Sequence, residues 1–206
     1  MDMAARTGAW SPSGAPLPYD AEVEHLESTG TQYLDTLVTG GSVAGYEIKF
    51  VYIGSNNSWP QFFCGPLVGD SPIPKLYGHN RDMYSGSAYL GDGKILNDIL
   101  NVPIVASVDG NVLYANEKSF PLGGNGGWGE LSWWVFNSHS EPTLHSKMRL
   151  YYLKMSKDGS SVRDFIPVRF TNSLGVSEGA MYDRVSGQLF RNAGTGAFVI
   201  GPDKTT

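Results

Sequence analysis

The residues able to do chemistry are few, and their spacing argues against most catalysis. Glycoside hydrolysis with retention requires two carboxyl groups about 5–5.5 Å apart. Alternate positions on a strand satisfy that, because period 2 turns both side chains to one face. Asp20, Glu22 and Glu24 are spaced in this way. They fall where an N-terminal arm joins the rest of the chain, not on a strand lining a cleft. Four histidines are present, His25, His79, His139 and His145. The last two lie in a polar loop, Ser138-His139-Ser140-Glu141-Pro142-Thr143-Leu144-His145, and are expected to be solvated. No nucleophile elbow is expected. The single Cys64 excludes an intramolecular disulfide and a cysteine-based zinc site. Its apolar neighbours make it a small buried hydrophobe.

Hard cations take several oxygen ligands. Gly69-Asp70-Ser71, Gly91-Asp92-Gly93 and Asn97-Asp98 are the candidate calcium loops. None has the form of a calcium-binding loop, and each reads as a turn. No cofactor is therefore expected, and calcium is the one metal these loops leave open without indicating it. The net charge of −5 and the lack of a Lys/Arg run argue against nucleic acid and anionic membranes as partners. No apolar stretch approaches the ~18–20 residues of a membrane span. Residues 1–19 hold no apolar core of a secretory leader.

Aromatic residues beside polar ones are the positive signal. The stretch Gly123-Gly124-Asn125-Gly126-Gly127-Trp128-Gly129-Glu130 runs into the strand-like segment 131–137. Trp133 and Trp134 are adjacent there, so they point to opposite faces. One belongs to the core and the other lies outside or in a groove. Trp128 and Trp134, with Asn125 and Asn137 as polar partners, form the expected ligand platform. The plainer alternative is that the outer tryptophans only cover the sheet. A second rim, 77–81 with Tyr84 and Tyr89, has no stronger claim.

The elements that must position these residues are strands. The chain has 206 residues, with 26 Gly and 12 Pro to punctuate them. Residues 46–53 alternate, with Tyr46, Ile48, Phe50 and Tyr52 on one face. Asp109-Gly110 between two alternating runs signals a hairpin. In 147–156 both faces are largely apolar, which marks a central strand. Pro167 interrupts 162–170 and points to an edge or a bulge. No helix with a sustained 3.6 period is found. Many short strands with frequent turns make an all-β antiparallel β-sandwich or barrel. Residues 1–20 read as an extended Pro-rich arm, 21–202 as the domain and 203–206 as a tail. Trp10 either tucks onto the domain or docks the arm on a partner.

Four segments carry a family resemblance. His25-Leu26-Glu27-Ser28-Thr29-Gly30-Thr31-Gln32-Tyr33-Leu34-Asp35-Thr36 resembles the opening strand pair of laminin-G-like, concanavalin A-like jelly-roll domains. The run 147–155 resembles their long late strand, and 163–169 the next one. Residues 179–183 and 190–198 resemble the closing signature. The resemblance implies a concanavalin A-like sandwich, with Asp35 and Asp183 bonding backbone amides at turns. It implies a carbohydrate- or protein-binding module; with no catalytic signature found, non-catalytic recognition of carbohydrate or a cell surface is the expectation. Such domains occur in gut bacterial and phage proteins, so an extracellular or virion-surface location is expected. A structural virion protein, held to other subunits through its arm, is the alternative.

Overall fold

A computed structural model describes residues 16–39, 43–55, 61–65, 76–79, 82–85, 94–110, 112–122, 131–137 and 145–205. The described chain is all-β. Its strands are β1 (Ala21–Glu22), β2 (Leu26–Thr29), β3 (Leu34–Thr39), β4 (Gly45–Ser55), β5 (Gln61–Cys64), β6 (Leu76–His79), β7 (Asp82–Ser85), β8 (Lys94–Leu96) and β9 (Pro103–Asp109). They continue with β10 (Val112–Ala115), β11 (Lys118–Pro121), β12 (Ser132–Val135), β13 (Ser146–Lys157), β14 (Ser160–Thr171), β15 (Ser177–Asp183), β16 (Gln188–Phe190) and β17 (Val199–Ile200). A large antiparallel sheet runs β11-β10-β9-β4-β13-β14-β15-β16, with β2 beside β13, β17 on β2 and β1 on β14. A smaller one runs β3-β12-β5-β6-β7-β8.

The alternation expected in β4 is present, with Tyr46, Ile48, Phe50 and Tyr52 all buried. They join one apolar cluster with Leu34, Leu76, Met83, Trp133 and Val135 of the smaller sheet. Tyr46 meets Trp133 edge-on, with ring centroids 5.4 Å apart. Asp109 pairs with Val112 across the two-residue loop that Asp109-Gly110 signalled. Asp158 and Gly159, both at positive φ, make the matching turn between β13 and β14.

β13 is central, but its alternation differs from a plain pleat. Met148, Leu150, Leu153 and Met155 face the core. A register shift between Leu150 and Tyr152 inserts one extra residue. Tyr151 and Tyr152 therefore both point outward, between two inward leucines. The apparent two-sided apolarity of this strand in the sequence comes from that bulge.

Pro167 does not mark an edge. β14 is paired on both sides, and Pro167 sits where it leaves β13 and meets β1: Phe165 faces Leu153, and Val168 faces Glu22. The Pro167 carbonyl accepts from Val23 N at 3.0 Å on that side. The missing N–H thus falls in the gap between two partner strands, where no ladder bond is lost.

The packed unit reaches beyond 21–202 at both ends. Tyr19 is buried with Ile166, Val168, Phe170 and Ala180, and Leu17 packs beside them. These residues alternate with the core-facing ones, so residues 17–20 cover the outer face of β14 and β15. Asp203 pairs with Val23, and Lys204 N donates to the Glu22 carbonyl at 2.9 Å. Arg169 donates to both Asp203 carboxylate oxygens, at 3.2 and 2.7 Å.

Asp183 bonds backbone amides, as the resemblance implied. It is fully buried. Oδ1 accepts from Asp164 N (2.9 Å) and Val185 N (3.1 Å). Oδ2 accepts from Ser186 N (3.2 Å) and Ser186 Oγ (2.7 Å), with Arg163 Nη1 at 3.6 Å. Replacing a buried hydrogen-bonded carboxylate strands its donors and its cation. Asp183→Asn is expected to lower stability by about 3 kcal/mol, read as a shift in urea midpoint at unchanged slope.

Candidate functional site: the outer face of β3 and β12

Trp133 and Val135 of β12 are core residues, so Trp134 lies on the opposite, outer face and is half-buried. One of the adjacent tryptophans is thus core and the other outside. Trp134 pairs in register with Asp35 of β3. Its ring stacks on Tyr33, with centroids 4.2 Å apart and planes 24° from parallel.

Tyr33 is held by the closing segment of the chain. Its N–H donates to Asn192 Oδ1 at 3.1 Å, and its carbonyl accepts from Ala193 N at 2.9 Å. Thr195 N donates to the Thr31 carbonyl at 3.1 Å. Gly194 lies so close that a Cβ there would run into the Thr31 carbonyl and come within 3.1 Å of the Tyr33 ring. Gly194, Tyr33 and Trp134 form one stack. Behind it the buried Gln32 collects donors, with Oε1 accepting from Thr29 N at 2.8 Å. The opening and closing motifs of the sequence therefore build one joint.

Asp35 stands beside the stack. Oδ1 accepts from Leu37 N at 2.9 Å and from the Ser132 hydroxyl. Oδ2 accepts no hydrogen bond among the described residues. The backbone on either side is strained. Leu37 has φ 55° and Phe136 φ 72°, and each such conformation costs a non-glycine residue about 1–2 kcal/mol. Leu37 sits in a bulge, where Ser132 pairs with Thr39 but Trp134 with Asp35. The side chain is turned out and is 67% exposed. Buried Thr36 bridges the bulge, its hydroxyl donating to the Trp133 carbonyl at 2.9 Å. Two bulky residues in left-handed backbone flanking one surface is the kind of strain that gathers at functional sites.

The other expected residues fall differently. Asn137 is fully buried, so it belongs to the interior and not to a ligand rim. Trp128, Asn125 and Trp10 lie outside the described residues, as do the loops at Asp70 and Asp92 and His139. Asp98 takes φ 50° in a turn. Among the described residues no three His, Cys, Asp or Glu side chains group as metal ligands. The acidic residues of the arm junction hold the chain ends: Asp20 Oδ2 accepts from Thr171 Oγ1 at 2.7 Å, and Glu22 Oε2 from Lys204 Nζ at 3.3 Å. Gly175-Val176-Ser177-Glu178-Gly179 has the spacing of a nucleophile elbow, contrary to expectation. Ser177 opens β15 from the turn after β14, and no helix follows, so the strand-to-helix context of that motif is missing. Nothing in the sequence singles out Tyr33, Asp35 and Ser132 as ligand-binding residues. Period 2 does place Tyr33 and Asp35 on one face opposite Leu34; their pairing with β12 is non-local.

His145 is half-buried, not solvated. Nδ1 of both His25 and His145 is buried without a hydrogen-bond partner among the described residues. The His25 ring lies 5.4 Å from the Tyr151 ring and packs on Gly201. Burial lowers both imidazole pKa values, and at His25 Arg149 adds to this against Glu27 and Glu24.

Compared with known proteins, the chain matches no family model, no curated protein and no solved structure.

Two outcomes follow from this geometry. Gly194→Ala is expected to overpack the joint and lower stability by about 1–3 kcal/mol, with loss of the near-ultraviolet circular dichroism of the stacked Trp134. The histidines give a pH dependence. Their folded-state pKa values lie below the ordinary 6.5, so the unfolded chain binds more protons in the window just below it. Stability is full above pH 6.5 and falls as pH drops through the folded pKa values. Thermal unfolding at pH 8, 7, 6 and 5 is expected to be level over the first two points and to decline over the last two. Replacing both histidines with Asn is expected to flatten that decline.

Proposed function

We propose that this protein is a non-catalytic recognition module for carbohydrate at a cell surface, binding through the outer face of β3 and β12. We infer with it that the two sheets pack as a concanavalin A-like sandwich; their shared apolar core supports this. One observation carries the ligand assignment. The stacked pair of Tyr33 and half-buried Trp134 stands beside Asp35, whose Oδ2 accepts no hydrogen bond among the described residues, on a strained surface. The flat ring suits the C–H face of a sugar, and the carboxylate suits its hydroxyls. The stack is fixed before binding, so little ordering entropy opposes association.

A glycan array tests the proposal. The protein is expected to bind a subset of glycans, and Trp134→Ala to weaken that binding at least tenfold, about 1.4 kcal/mol. Asp35→Asn keeps the acceptor for Leu37 N and exchanges the open oxygen for a donor. It is expected to weaken binding while leaving the urea midpoint nearly unmoved. Absence of binding to every glycan, or an unchanged affinity in both variants, rejects it.

A further inference from the structure

The outer face of the large sheet, on the far side of the core from Trp134, carries a second set of features. We propose that it is a separate binding surface for an acidic polysaccharide, centred on the paired tyrosines of β13. Tyr151 and Tyr152 lie side by side because of the bulge. Lys49 Nζ sits 5.1 Å from the centre of the Tyr151 ring, and Lys154 Nζ 5.2 Å from that of Tyr152. Along the same strand Lys147 and Arg149 also point outward, alternating with core-facing Met148.

The charge ledger of this face opposes that of the chain. The whole protein carries −5. Here four cations stand against three carboxylates, the third, Asp164, facing Lys154 from β14 and already holding Arg184 Nε at 3.5 Å. Glu27 takes Arg149 Nε at 2.8 Å, and Glu47 takes Lys154 Nζ at 3.2 Å. Lys49 and Lys147 have no carboxylate partner among the described residues. The cations are strung along β13 and its neighbour, not gathered at a point. At ~3.3 Å per residue the stretch from Lys147 to Lys154 spans about 23 Å. That length suits a polymer with regularly placed anions, not a small ion.

Three details favour sugar over other polyanions. Tyrosine rings offer apolar faces for C–H surfaces once the mobile lysines swing from over the rings onto a carboxylate. Glu27 and Glu47 stand between the cations and accept hydrogen bonds, which hydroxyls can donate and phosphate diesters cannot. Arg149 meanwhile presents a planar fork suited to a carboxylate.

The test is titration of the full chain with polygalacturonate, with dextran, poly-L-glutamate and oligo-dT alongside. Polygalacturonate is expected to bind, more weakly as salt rises, and dextran not to. The double variant Lys49→Gln/Lys147→Gln is expected to lose at least tenfold in affinity. Lys118→Gln, which removes one such charge from the edge strand β11, is expected to lose none. Tyr151→Ser, with its fold checked by urea midpoint, is expected to lose affinity with every charge retained. No binding of polygalacturonate, an unchanged affinity in the double variant or in folded Tyr151→Ser, or equal binding of poly-L-glutamate or oligo-dT overturns the proposal. Trp134 and Asp35 take no part in it, so it stands or falls apart from the function proposed above.

Discussion

The molecule depends on one demanding strand. β13 lies in the middle of the large sheet, so each of its backbone groups needs a partner and its inner face must be apolar. β4 serves one side along the whole length. On the other side β14 covers only its C-terminal part and β2 only its N-terminal part. The second edge is thus completed by segments far apart in sequence. That division brings the two ends of the chain together: where β14 leaves, β1 and β2 enter, and β17 and Asp203 follow on them.

The polar residues of this region are explained by that junction. Arg163 donates to the Thr36 carbonyl of the smaller sheet at 3.3 Å and stands 3.6 Å from Asp183. Its guanidinium also lies 5.4 Å from the Phe190 ring centre. One side chain therefore couples β3, β14 and the turn before β16. Asp183 is more than a local turn cap, because the cation it holds reaches the other sheet. The exposed pair of Arg169 with Asp203 has the opposite character: it is short, but solvent limits such pairs to about 0–1 kcal/mol. It fixes where the C-terminal segment lies more than how stable the fold is.

What could be read from the sequence follows from what is local. Alternation in β4 and the turns at Gly110 and Gly159 depend on neighbours in the chain, and they are where period and turn chemistry place them. The adjacent Trp133 and Trp134 split between core and surface for the same reason. β13 misleads because a bulge shifts its period midway, so Tyr151 and Tyr152 look like opposite faces until the partner strand is known. Pro167 misleads because the break in pairing beside it is made by β1 and β13 together. Asn137, at the end of the segment 131–137, reads as a polar ligand partner since nothing local marks its burial. Tyr33 was legible only as part of a motif; its partners Trp134, Asn192 and Gly194 come from two distant segments.

Both proposed ligand faces arise where the pleat is broken. A regular strand offers alternate side chains at one spacing and leaves adjacent ones on opposite sides. On β3 the bulge lies beside Asp35, which caps its own strand at Leu37 and meets Ser132. On β13 the bulge sets two tyrosines next to each other, which no regular strand can do. Each irregularity is held from behind by buried structure: Thr36 and Trp133 under the first, Leu150 and Leu153 under the second. The strain at Leu37 and Phe136 is bounded by the size of that shared core, and a fold with less apolar area under these strands would relax them to the regular register. The core of this protein therefore does two things at once: it supplies the stability, and it keeps two surfaces in arrangements that the local sequence alone would not adopt.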